Sequence, residues 1–420
     1  MNKVIELPYG KTQILFDLPE RWEPDFFRPN PVPPAEDFVE EVTRSLDHPS
    51  GNTYLRDFSG AASAAIAVPD ETRPMPTHLV LPPLLKRLHQ MGLPPSAIQI
   101  LIASGLHSPM PESRLAKLLP RDILDQYSVT VHDASRTDLT FLGRTSRGTP
   151  VFVNPLFLEA PIRLVIGIID PHQFVGYTGG VKGAAIGLAG AKTIEANHSM
   201  LFHPQARIGE IEDNPVRQDI EEIGKMMGVG FAVNVVLDER NQIIKAFSGN
   251  PSEVERVGSQ FCRRAYEINV SRAYDIAIVS PGGYPKDINL YQAQKALAHA
   301  TPLVRGGGEI LLLAECPDGH GDEVFYRTMK KYRTPQEVVE SFQREKFQMG
   351  VHKAFLWTRS LTKTRVYLRS TLGEPMARDL MVHPVKDLRG LLERIDNGYP
   401  HPPQVAVLPK ANSTYARVHG

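Results

Sequence analysis

Four short, almost uninterrupted apolar runs, each followed at once by a polar loop, constrain this chain more than any other feature. They are Ala64–Val68 (AAIAV), Ile98–Ala103 (IQILIA), the weaker Val129–His132, and Leu164–Ile169 (LVIGII). A strand with one wet face alternates polar and apolar residues, whereas runs without alternation are the mark of strands buried on both faces. Helical stretches separate them, the first ending near Gln90, and strand–helix alternation predicts a parallel α/β sheet. Such sheets bind ligands beyond the carboxyl ends of their strands. The residues at those positions are Asp70-Glu71-Thr72-Arg73-Pro74, Ser104-Gly105-Leu106-His107 and Asp170-Pro171-His172.

Further along, Phe231–Leu237 and Ile243–Phe247 read as an antiparallel hairpin around Asp238-Glu239-Arg240-Asn241-Gln242, and Pro251–Ile268 reads as a helix. A second strand–helix series follows, with strands at Ile276–Val279, Ile310–Ala314, Val366–Leu368 and Val405–Leu408. A chain of 420 residues suits two domains better than one. The expected architecture is therefore two α/β domains with mainly parallel sheets and an active site in the cleft between them. The first would span residues 1–270 and the second 271–410, with the tail 411–420 packing back on the first.

Lys+Arg and Asp+Glu both total 47, so no global field draws the chain to nucleic acid or to an anionic membrane. With only Cys262 and Cys316, a disulfide framework or a cysteine-rich metal site is excluded. The N-terminal MNKVIELPYGKTQILFDLPERW mixes charge and proline into every apolar run and has no secretory pattern. No stretch approaches the roughly 18 apolar residues of a spanning helix. A cytoplasmic location is the expectation, with no nucleic acid or membrane partner.

The densest signal is Asp170–His198, DPHQFVGYTGGVKGAAIGLAGAKTIEANH, which holds six glycines around Lys182, with His172 and His198 at its ends. Glycines let backbone N–H groups approach an anionic or planar ligand closely. The loop matches neither a P-loop nor a dinucleotide fingerprint, and alone it reads equally as a turn packing a helix against a sheet. Asp70 to Arg73 offer a carboxylate, a hydroxyl and a guanidinium before a helix N-terminus, a place suited to phosphate. A helix cap with a solvated Arg73 accounts for them just as simply. What favours a site is convergence: three strand ends deliver Arg73, His107 and His172 to one rim.

In the second series, Pro281-Gly282-Gly283-Tyr284-Pro285-Lys286-Asp287 follows a strand, and Tyr291 and Lys295 share a helix face at i and i+4 with Gln292 beside them. A cation beside an amide suits a carboxylate, though a surface lysine is the plainer reading.

Taken together, these motifs resemble the lactate racemase family, the enzymes that use the nickel-pincer nucleotide. The resemblance runs from about residue 10 to beyond 400. It rests on Asp-Glu-Thr-Arg-Pro (70–74), Gly-Leu-His-x-Pro-Met (105–110), His-Asp-Ala (132–134), His172, Gly-Gly-x-Lys182 and Ala-Asn-His198. Gly-Gly-Tyr-Pro-Lys-Asp (282–287), Tyr-Gln-x-x-Lys (291–295) and Gly-Val-His-Lys-Ala (350–354) complete the ordered set. The resemblance implies that Lys182 tethers the cofactor, a pyridinium-3,5-bisthiocarboxylic acid mononucleotide nickel complex. It makes His198 the one protein ligand of nickel, beside one carbon and two sulfurs of the pincer, a soft square-planar set. It further implies nucleotide contacts from Asp70, Glu71, Thr72 and Arg73, with Arg73 also reaching substrate. Gln292 and Lys295 would hold the substrate carboxylate, and Tyr291 and Trp357 would line the pocket. Cofactor-biosynthesis proteins become expected partners beside a small 2-hydroxy acid.

The implied reaction inverts C2 of lactate or another short 2-hydroxy acid. One histidine takes the hydroxyl proton while the C2 hydrogen leaves as hydride, giving a planar 2-keto acid. Hydride then returns to the other face as a second histidine supplies the proton. His107 and His172 fit these roles, since imidazole titrates near pH 6.5. Departures from the family pattern are Ser108 in place of Arg, Ile186 in place of Pro, Gly183-Ala184-Ala185 after the lysine, and a C-terminal Pro-Lys-Ala-Asn-Ser-Thr without the expected Gly. They bear on the substrate more than on the cofactor. A sugar-acid (aldonate) 2-epimerase with the same cofactor, a Schiff-base enzyme at Lys182, and a non-catalytic nickel- or nucleotide-binding homologue are the alternatives.

Overall fold

The structure is a computed structural model that describes residues 3–344 and 351–418. It divides into two compact units: Pro31–Arg264, and Met1–Asn30 together with Ala265–Gly420.

The first unit is built on a six-stranded sheet. In chain order its strands are β1 (Ala64–Pro69), β2 (Ile98–Ala103), β3 (Ser128–Val131), β4 (Ile162–Ile168), β5 (Phe231–Leu237) and β6 (Ile243–Gly249). In space they run β6-β5-β4-β1-β2-β3. β1 to β5 are mutually parallel, and β6 closes the expected antiparallel hairpin with β5. The runs of β1, β2 and β4 are largely buried, as their composition predicts: Ile66, Val68, Ile100, Ile102, Leu164 and Ile166 pack against Val80, Leu81, Leu84 and Leu88 of the helix Thr77–Gln90; β3, at the sheet edge, is only half-buried. From β1 the chain builds outward to β2 and β3, then returns to the other side of β1 to form β4. The order thus reverses at the β1/β4 boundary, the kind of switch point beyond whose carboxyl ends open α/β sheets hold ligands.

The second unit carries another six-stranded parallel sheet, in the order His383–Pro384, Arg365–Arg369, Val304–Leu313, Tyr274–Val279, Gln404–Leu408, Glu23–Phe26. The last of these strands corrects the expected domain limits, because the first 30 residues do not belong with residues 31–270. The antiparallel hairpin Lys3–Tyr9/Thr12–Leu18 buries Ile5, Leu7 and Leu18, with Trp22, against Ile276, Ile278, Leu311 and Val405. Burying each such side chain contributes roughly 1.5–3 kcal/mol, whereas a two-stranded hairpin alone is marginal. The tail joins its own unit as well: Tyr415–Val418 pairs in parallel with Glu267–Val270. That pairing ends the helix at Tyr266 and moves the boundary from 270 to Arg264/Ala265.

Candidate active site

Every polar loop singled out in the first unit lies at the carboxyl edge of its sheet. Asp70 follows β1 and His107 follows β2; their side chains meet, with His107 Nδ1 2.7 Å from Asp70 Oδ2. The other Asp70 oxygen accepts from the Thr72 hydroxyl at 2.6 Å and the Thr72 N–H at 3.2 Å. Asp70 is buried while the His107 ring is exposed. Burial by itself would raise the Asp70 carboxyl, but the bonds from His107 and Thr72 and the charges of His107 and Arg73 hold it below the usual range. An ionised carboxylate on Nδ1 keeps the ring proton there and leaves Nε2 as the basic nitrogen. The resemblance reserves Asp70 for the nucleotide; here both its oxygens are engaged by Thr72 and His107. Glu71 pairs with Arg114 at 2.6 Å, and Arg73 is exposed.

His172 lies in a two-residue bridge, Pro171–His172 against Gly176–Tyr177. Its Nδ1 accepts backbone N–H groups from Val175 at 3.3 Å and Phe174 at 3.5 Å. A ring nitrogen that accepts carries no proton, so these partners assign the proton of neutral His172 to Nε2. The two histidines are thus held in opposite tautomers. Phe174 stands edge-on between two rings, 4.7 Å from His172 and 5.2 Å from His198.

Lys182 opens the short helix Lys182–Ala185, which packs over β1 and β4 where the strand order reverses. Two glycines permit that approach. A Cβ on Gly183 would fall 2.7 Å from Val165, and one on Gly187 would fall 2.2 Å from the Gly183 carbonyl and 2.5 Å from Ala103 Cβ. The packing reading of the glycines therefore holds at these positions, and it serves to seat the lysine. Burial pushes the Lys182 ammonium down to about 7, and the positive charges of Arg73 and Arg217 act in the same direction. Its side chain nevertheless keeps some solvent contact. Such an amine is substantially neutral, hence nucleophilic, near neutral pH.

Several residues that hold this arrangement were not assigned from sequence. Arg217, fully buried, donates to the Tyr177 and Gly179 carbonyls at 3.4 and 3.2 Å and pairs with Glu221. Asn234 accepts the Gly180 N–H at 2.7 Å; its signal was a lone polar residue inside FAVNVVL, buried throughout. His132 of the His-Asp-Ala motif is a brace, with Nε2 2.9 Å from the Ala189 carbonyl and Nδ1 3.1 Å from Asn154.

His198 ends the helix Ala191–His198 and is 8% exposed. Its Nδ1 lies 3.0 Å from Asn197 Oδ1, an acceptor, which places the ring proton on Nδ1 and the imine lone pair on Nε2. Among the described residues no group of three His, Cys, Asp or Glu side chains could hold a metal ion. Burial raises both cysteine thiols. A metal bound through His198 with further donors carried by its own ligand would need no such group of side chains. A lysine that can be acylated and a single imidazole donor fit a tethered, donor-bearing cofactor.

In the second unit, Tyr291, Gln292 and Lys295 are partly exposed on the helix Leu290–Ala300, whose N-cap Asn289 accepts the Gln292 N–H at 3.0 Å. Lys353 Nζ sits 4.2 Å from the centre of the Tyr291 ring. Trp357 is fully buried; its Nε1 donates to the Leu380 carbonyl at 2.8 Å and its ring meets Phe325 edge-on. Gly350 of the Gly-Val-His-Lys-Ala motif lies outside the described residues.

Two family models match the chain, "Lactate racemase N-terminal domain" over residues 9–209 and "Lactate racemase C-terminal domain" over 270–414. A lactate racemase from Thermoanaerobacterium thermosaccharolyticum is 31% identical over 98% of this chain and 99% of its own length. One from Lactiplantibacillus plantarum is 34% identical over 72% of each. The structure of the lactate racemase apoprotein from T. thermosaccharolyticum superposes with a TM-score of 0.90 at 30% identity, covering 99% of this chain and 100% of that one. A Thermotoga maritima protein shares the fold at a TM-score of 0.66 and 18% identity, over 91% of this chain and 98% of its own. The strand-edge histidines, the seated lysine and these matches along nearly the whole sequence lead to one assignment: the chain belongs to the lactate racemase family of isomerases.

Proposed function

We propose that this protein interconverts the two configurations at C2 of a short aliphatic 2-hydroxy acid, lactate first among them, with a nickel-pincer nucleotide attached through Lys182. The observation that carries this reading is the Lys182 amine, pushed down to about 7 beneath the same sheet edge that bears His107 and His172. When bound, the cofactor supplies a reversible acceptor for the C2 hydride, and His198 is its nickel ligand.

The remaining work falls to the side chains. His107, its Nδ1 proton held by Asp70, takes the substrate hydroxyl proton on Nε2. His172, entering as imidazolium, returns a proton to the keto oxygen when hydride comes back to the opposite face and is left neutral. One proton and one hydride leave and one of each return, so the product is the mirror-image acid and the histidines have exchanged states. The reverse direction begins from those exchanged states. Arg73 is the proposed carboxylate contact in this unit; the assignment of Gln292, Lys295 and the aromatic Tyr291 to substrate is a separate proposal. Trp357, enclosed as it is, enters only as packing.

Coexpression with a cofactor-synthesising system tests the reading. Intact-mass analysis is expected to show an adduct on Lys182, with nickel retained, and chiral chromatography is expected to show both lactate enantiomers from either one. An unmodified Lys182 without nickel defeats it. Because a neutral amine also suits a Schiff base, borohydride reduction in the presence of pyruvate is the control, and a trapped keto-acid adduct on Lys182 would overturn the cofactor assignment. A panel including aldonates separates racemase from sugar-acid epimerase.

A further inference from the structure

Behind His198 runs a line of buried polar side chains that the reaction itself does not use. Asn197 and Asp219 are fully buried and Thr145 is 5% exposed. The Asn197 amide donates to the Val216 carbonyl at 3.1 Å and to Asp219 Oδ2 at 2.9 Å. Both of these partners accept only, so the amide cannot be flipped without setting oxygen against oxygen, and its Oδ1 must face the His198 ring. Asp219 Oδ1 in turn accepts the Thr145 hydroxyl, and that hydroxyl also accepts the Thr149 N–H at 3.1 Å. The line thus starts on a backbone amide, passes through three side chains from separate segments, and ends on a ring nitrogen.

We propose that Asn197, Asp219 and Thr145 form a positioning relay that fixes the orientation and tautomer of His198 and so presents its Nε2 lone pair to a metal. This rests on the reading of His198 as the nickel ligand. Burying a carboxylate is costly unless it is hydrogen-bonded, and Asp219 is held here by one amide and one hydroxyl. A brace between two helices could be made from backbone contacts alone. A chain that ends on imidazole Nδ1 does something more, because it decides which ring nitrogen is available. Partners of this kind on metal-bound histidines are typically worth about 10- to 100-fold in metal affinity.

The test uses the full chain carrying Asn197→Leu, Asp219→Asn, Thr145→Val and Thr145→Ser, with His198→Ala as reference. Protein coexpressed with the cofactor pathway is challenged with EDTA, and nickel is counted per Lys182 adduct. The expected result is an unchanged adduct level, with nickel lost roughly 10- to 100-fold faster in Asn197→Leu and Asp219→Asn, more mildly in Thr145→Val, and as in the parent for Thr145→Ser. In parallel, ¹⁵N-histidine spectra of the cofactor-free protein are expected to show His198 protonated at Nδ1, assigned by its loss in His198→Ala, and to lose that fixed tautomer in Asn197→Leu. Parent-like nickel retention together with an unchanged His198 signal in Asn197→Leu and Asp219→Asn overturns the relay. Absence of any Lys182 adduct in the parent overturns the cofactor reading instead, and the cofactor-free spectra then decide the relay by themselves. Thr145→Val alters one buried hydroxyl only, which keeps the test open should the other variants fold poorly.

Discussion

His107 Nδ1 donates to Asp70 Oδ2 across 2.7 Å, joining the first residue after β1 to the loop after its neighbour β2. Neither residue is special alone. Together they make an imidazole whose free nitrogen and ring plane are set before substrate arrives.

Replacing Asp70 with Asn is expected to lower racemisation by about 10²- to 10⁴-fold, the usual range for losing a base or the carboxylate that orients it. Loading of Lys182 should persist, as intact mass would show. Because the folded carboxyl is held below its ordinary 3.8, its stabilising contribution is present above that value and disappears as the pH falls through the lower one. The stability gap between parent and Asp70→Asn in urea titrations should close accordingly in acid.

His107→Gln and His172→Gln are each expected to cost about 10²- to 10⁴-fold in both directions of racemisation. The two variants should differ in the half-reaction. Each should still release 2-keto acid from only one enantiomer, and opposite enantiomers for the two variants, measured by trapping with hydroxylamine. Keto acid from both enantiomers in either variant contradicts the two-histidine assignment.

Lys182 carries a cost that its substitution should relieve. Its folded pKa of about 7 lies below the ordinary 10.5, so between those values the unfolded chain holds a proton that the folded one lacks. The penalty is complete below pH 7 and gone above 10.5. Cofactor-free Lys182→Met should therefore melt higher than the parent at pH 7, by about 2–4 °C for each kcal/mol relieved, and converge with it by pH 10.5.

Gly187→Ala places a methyl 2.2 Å from the Gly183 carbonyl and 2.5 Å from Ala103 Cβ. Overpacking of this kind costs roughly 1–3 kcal/mol, read as a lower urea midpoint at unchanged slope. Since the same clash lifts the helix that bears Lys182, adduct formation should slow as well.

Lys295→Met should leave Lys182 loading intact while lowering kcat/KM about 10- to 100-fold, as expected for one charge-assisted hydrogen bond to a carboxylate. Unchanged kcat/KM removes Lys295 from the substrate.

Much of this protein was legible in one dimension. Uninterrupted runs such as AAIAV and LVIGII, short and set between polar loops, read as strands buried on both faces, and parallel strands put their following loops on one edge. Arg73, His107 and His172 were therefore readable as sharing one rim of the sheet by topology. Asn234 could have been read too, as the one polar residue in a strand otherwise wholly apolar.

What the sequence by itself determined was the strand–helix alternation, the edge on which the polar loops gather, and the family motifs strung along it. Tertiary structure alone decided that residues 1–30 fold with the C-terminal unit, because the apolar face of a hairpin is indifferent to which core covers it until both cores exist. It also decided that Asp70 belongs to His107, and that a threonine and an aspartate 74 positions apart stand in line behind His198. Local periodicity records which face of a segment is buried; it carries no record of which distant donor will meet which acceptor, and that pairing appears only when packing brings the segments together.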